Sequence, residues 1–95
     1  MAKKESTSLK TNDVLSQKQI CNFIAKKWII GRKDEKGKEV SFTIYGRQCD
    51  LVTSTISKIA SAEGYSLPLE TLLKILRKEE TSLSQFFIEC EKEYN

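Results

Sequence analysis

Apolar positions along the chain recur at steps of three and four, the spacing of one helical face. Ile20, Phe23, Ile24 and Trp28 form a first group, running up to about Gly31. Ser16, followed three residues later by Gln19, makes a capping box at its start. Val40, Ile44 and Tyr45 mark a second helix with Ser41 as a good N-cap, ending before Asp50. The β-branched and aromatic residues of 39–49, preceded by Lys36, Gly37 and Lys38, also fit a two-stranded hairpin, and both readings stay open there. Ile56 and Ile59 anchor a third helix over 53–61, and Gly64 interrupts the pattern after it. Pro68 suits the first turn of a fourth helix, whose stripe is Leu69, Leu72, Leu73, Ile75 and Leu76. Ser82 and Gln85 form a second capping box ahead of Leu83, Phe86, Phe87 and Cys90. The pattern predicts an all-α fold of five short helices in one domain, residues 13–95. Residues 1–12, rich in Lys, Ser and Thr, read as a flexible basic arm.

The third helix is the unusual one. A buried helix would fill the positions around Ile56 and Ile59 with hydrophobes, yet Thr53, Ser54, Ser57 and Lys58 stand there. Side chains of this kind, free to hydrogen-bond or to meet phosphate, suit a helix lying in a DNA groove.

Charge sharpens the picture. Cations outnumber anions eight to two in residues 1–33, balance four to four in 34–62, and fall behind four to seven in 63–95. A chain so polarised can present one end to a polyanion. The three cysteines, Cys21, Cys49 and Cys90, are far apart and form no C-x-x-C pair, so they suggest neither a zinc site nor a disulfide framework. No histidine is present, and no phosphate loop or nucleophile elbow appears, which argues against an enzyme and gives no cofactor or metal a place. Glu79, Glu80, Glu89, Glu91 and Glu93 read as solvated helix faces rather than a carboxylate pair. The longest apolar run, Trp28, Ile29 and Ile30, cannot span a bilayer, and no leader pattern is seen, so the chain reads as cytoplasmic with no membrane partner.

The residues from Val40 to Phe87 resemble the phage-repressor type (lambda-repressor-like, XRE) helix-turn-helix family. The resemblance rests on Ser41 and Gly46, on Asp50 and Leu51 at a turn, on STISKI at 54–59, on LETLLKIL at 69–76, and on TSLSQFF at 81–87. It implies a sequence-specific DNA-binding regulator of transcription, with helix 53–61 in the major groove of double-stranded DNA. Thr53, Ser54, Ser57 and Lys58 then take the positions that meet bases, while Ser41 and Ser61 sit at backbone-contact positions, with Lys38 and Arg47 as nearby phosphate partners. Family members commonly bind as two-fold dimers, and Leu83, Phe86 and Phe87 are the expected dimer surface. Four positions depart from the pattern, among them Ala60 and Ala62, which replace the acidic and Gly residues common after the recognition helix. Phe42 stands where a Gln commonly contacts phosphate and braces the recognition helix, and Asp50 replaces the usual turn Gly. The alternative function is a protein-interaction module on the same fold, such as an antitoxin-like partner, a phage-encoded inhibitor or an adaptor, with weak or no DNA binding.

Overall fold

The computed structural model describes residues 15–61 and 63–94, and the arm expected at 1–12 lies outside them. Its elements are α1 (Gln17–Ile24), continued by a π-helical turn (Ala25–Ile29), then α2 (Phe42–Cys49), α3 (Thr53–Ala60), α4 (Leu69–Lys78) and α5 (Leu83–Tyr94). Among the described residues there is no strand, only one isolated antiparallel bridge between Lys33 and Glu39. Of residues 39–49, Phe42–Cys49 form the helix, while Glu39 sits in the bridge and Val40, expected inside the helix, precedes it. The turn through Lys36, Gly37 and Lys38 exists all the same, one step earlier in the chain, where Val40 N donates to Arg32 O at 2.8 Å and Asp34 N to Lys38 O at 2.8 Å. The Asp34 carboxylate accepts from the amides of Lys36 and Lys38 and closes this small loop.

The expected caps explain the helix starts. Ser16 accepts from Gln19 N while the Gln19 side chain accepts from Ser16 N, a complete capping box. Ser41 Oγ accepts from Ile44 N at 3.1 Å, and Ser82 Oγ from Gln85 N at 3.1 Å. The second box is only half closed, because Gln85 Nε2 donates instead to Glu89 Oε2 at 2.7 Å. Pro68 sits one place earlier than expected, as the N-cap of α4, in an extended conformation that opens the helix without using an N–H.

Phe86 lies at the centre of the core, stacked on Trp28 at 5.9 Å and edge-on to Phe23 at 5.6 Å. Ile24, Ile29, Tyr45, Ile56, Ile59, Ile75 and the three thiols are buried around it. The π turn lets Ala25, Trp28 and Ile29 all face inward, before Gly31 takes positive φ and the chain leaves the helix. The dimer surface expected at Leu83, Phe86 and Phe87 must be corrected at its middle member. Phe86 is 1% exposed and belongs to the core, whereas Leu83 is 39% exposed and Phe87 packs half-buried against the core with its ring 5.1 Å from that of Phe86. Leu69 and Leu73 also leave the predicted stripe and face outward.

Candidate nucleic-acid interface

Two short helices, α2 and α3, are joined by residues 50–52. Asp50 makes the turn with left-handed backbone angles, φ 63° and ψ 43°, a conformation that Asp tolerates better than most residues. Leu51 N donates to Gly46 O at 2.7 Å and closes the end of α2. Lys74 on α4 reaches over the turn, with Nζ 3.2 Å from Asp50 O and 3.5 Å from its carboxylate. The two helices meet most closely at Gly46, where a Cβ would stand 2.8 Å from Leu51 O and 3.2 Å from Ile56 Cγ1. No other residue fits without a shift, which is the physical reason for glycine inside a helix that it would otherwise weaken.

The helix α3 is divided lengthwise. Ile56 and Ile59 are fully buried on one side. Thr53, Ser54, Ser57 and Lys58 are all exposed, and at about 100° per residue they occupy an arc of roughly 140° on the opposite side. Ser61, just beyond the helix, falls in the same arc, and its hydroxyl donates to Lys58 O at 2.8 Å. Val52 offers no side-chain acceptor to the first turn of α3.

Of the expected backbone-contact residues, Arg47 shares a groove of 410 Å³ with Thr43, Asp50, Leu51, Val52 and Thr53. Ser41 lies at the start of the same helix, its hydroxyl oxygen engaged as the N-cap of α2. Lys38 is exposed on the loop before it and outside that groove. The structure thus brings Thr53, Ser54, Ser57, Lys58 and Ser61 onto one helix face and sets Arg47 beside its leading end.

Two residues with a part in this surface, Thr43 and Tyr65, escaped sequence reasoning. Thr43 on α2 accepts a hydrogen bond from Thr53 Oγ1 at 3.1 Å, so the brace between the two helices comes from Thr43. Phe42 beside it packs half-buried against the core. Tyr65 lies under Lys58, with Nζ 5.7 Å from the ring centroid, which limits where that ammonium can point. Glu79 was read as part of a solvated charge run, and that reading is corrected. Its carboxylate accepts from Tyr45 Oη at 2.6 Å and pairs with Arg32 at 2.9 Å, with the Glu79 side chain only 9% exposed. Burial, and then the Glu79 bond, raise the Tyr45 hydroxyl far above its ordinary pKa. The phenol therefore stays protonated and donates, tying α2 to the end of α4.

The thiols carry no signature of reactivity. All three are buried, and desolvation raises each above its ordinary value, Cys90 to about 11. Among the described residues no three Cys, Asp or Glu side chains gather where they could hold a metal ion, and no helix is long and apolar enough to cross a membrane. No protein-family model matches the chain, and no curated protein and no solved structure matches it either.

Proposed function

We propose that the chain is a sequence-specific DNA-binding regulator of transcription, in which α2 and α3 act as a helix-turn-helix and α3 enters the major groove. The observation that carries this reading is the divided α3. Its apolar side is locked to α2 at the Gly46 contact, and its other side offers hydroxyls and one ammonium to solvent. A major groove about 12 Å wide admits one helix, and its base edges present the donors and acceptors that such side chains meet. Lys58 suits the paired acceptors of guanine or a phosphate, and Ser54 and Ser57 suit either donors or acceptors. Arg47, with Ser41 and Lys38 along the approach to α2, suits the phosphate backbone, where contacts fix register without reading sequence. The likeness of residues 40–87 to the phage-repressor type family supports the same placement. In it two copies would bind a palindrome with recognition helices about 34 Å apart.

A second reading, a protein-interaction module, draws on α4. Leu69 and Leu73 are one turn apart, 62% and 39% exposed, and apolar. Selection of binding sites from a random duplex library at low salt separates the two. The DNA reading expects an enriched palindrome whose half-sites lie about one helical turn apart, and an affinity that falls steeply with salt. Enrichment of nothing would end it in favour of a protein partner.

A further inference from the structure

We infer that the hollow between the loop 32–38 and the C-terminal ends of α2 and α4 binds a small anion carrying adjacent phosphate groups. Its volume is 480 Å³, within the roughly 300–1,000 Å³ of small-ligand sites. Four cations line it, Arg32, Lys33, Lys36 and Lys78, together with Val40 and Gln48. The loop holds its two lysines in place, because backbone bonds and the Asp34 carboxylate close it. Glu79 and the Trp28 carbonyl engage Nη1 of Arg32. The other three N–H groups of that guanidinium have no partner among the described residues. Lys33, Lys36 and Lys78 pair with no carboxylate among those residues either. The Tyr45 ring positions two of the four cations, Arg32 at 5.8 Å and the half-buried Lys78 at 5.9 Å from its centroid. Of the two carboxylates in the lining, Asp34 is turned to the amides of its own loop, and only Glu35 opposes the cations. Adjacent phosphates answer this excess, since their oxygens accept from the arginine fork and from several ammonium groups at once. Gln48 stands about 200° round α2 from Gly46, the residue that meets α3. The hollow therefore opens away from α3, and it shares no residue with the groove beside Arg47. Its occupant is a free anion rather than the backbone of a duplex lying along α3.

The test follows backbone amide shifts of the full chain by NMR at about 0.15 M salt, where exposed charges are screened. The chain is titrated with inorganic pyrophosphate, with orthophosphate and with a short duplex of mixed sequence. Pyrophosphate shifts the amides of Lys33, Lys36, Gln48 and Lys78. It binds at least about tenfold more tightly than orthophosphate, because its second charged group adds further charge-assisted bonds. The Lys33→Gln, Lys36→Gln double variant changes only exposed loop positions and weakens pyrophosphate by about tenfold or more. Glu35→Gln tightens it by about two- to fivefold, the range of an exposed charge pair. Lys38→Gln, on the same loop but outside the hollow, leaves it within about twofold. Pyrophosphate that does not bind, or that binds all four proteins alike, overturns the inference. Shifts at these amides caused by the duplex and not by pyrophosphate overturn it as well, and assign the cations to a nucleic-acid backbone. Site selection on random duplexes judges α3 separately, because the hollow keeps its cations whether or not α3 reads DNA.

Discussion

Gly46 is the narrowest point between α2 and α3, and its substitution shows how packing decides against propensity. Alanine is worth about 1 kcal/mol more than glycine in a helix interior. Here the added methyl would press on the Leu51 carbonyl at 2.8 Å, a backbone atom that cannot turn aside. Overpacking of this kind costs about 1–3 kcal/mol, so Gly46→Ala lowers stability despite its better propensity. Thermal unfolding checks the sign, since about 1 kcal/mol moves Tm by roughly 4–8 °C in a domain of this size. Gly46 and Asp50 were legible through the resemblance to the phage-repressor type family, which sets a small residue at this crossing and a turn at 50, and Asp tolerates the left-handed angles found there. Thr43 was not. A threonine on an exposed face reads the same with or without a partner ten residues away.

At the scale of elements, the helices were legible because their apolar spacing and serine caps are local signals. The arrangement of their ends was less so, and Glu79 shows why. Its partners, Arg32 and Tyr45, stand 47 and 34 residues away, and among neighbouring glutamates nothing in sequence sets it apart. Through that one carboxylate the end of α4 is tied to α2 and to the segment leaving α1. Glu79→Ala would leave the buried Tyr45 hydroxyl without an acceptor and Arg32 without its anion, at a cost of about 2–4 kcal/mol. Glu79→Gln keeps an acceptor for Tyr45 and costs less. Denaturant unfolding of the two variants side by side measures the difference, and equal stabilities would mean that the Tyr45 bond contributes nothing. The π turn at Ala25–Ile29 and the bridge between Lys33 and Glu39 belong to the same class of unforeseen detail. Each depends on what the segment packs against, as does the exposure of Leu69 and Leu73 within a stripe that periodicity assigned to the core.

For the whole molecule, charge acts at the surface and burial in the core, even along the single helix α5. Lys26 and Lys27 pair with Glu93 and Glu89 at 3.1 and 3.0 Å, joining the π turn to α5. Such exposed pairs add little to stability, so salt should change folding far less than it changes binding to a polyanion. Alkali acts through the core instead. Cys90 ionises near 11 when folded, against an ordinary 9.0. The unfolded chain therefore releases that proton first, and stability falls as pH rises from about 9 toward 11. Cys90→Ala should flatten this decline in a series of unfolding curves across that range, and an unchanged slope would show that the thiol plays no part in it. The central claim concerns the outer face of α3, and one measurement meets it directly. The affinities of the wild type and of the Ser54→Ala, Lys58→Ala double variant for the selected duplex are compared, with unfolding curves confirming an intact fold. Both side chains are exposed and away from the core, so stability should hold while affinity drops by at least tenfold, in keeping with about 1–3 kcal/mol for a good base contact. Equal affinity from two equally stable proteins would contradict the assignment of α3 as the helix that reads DNA.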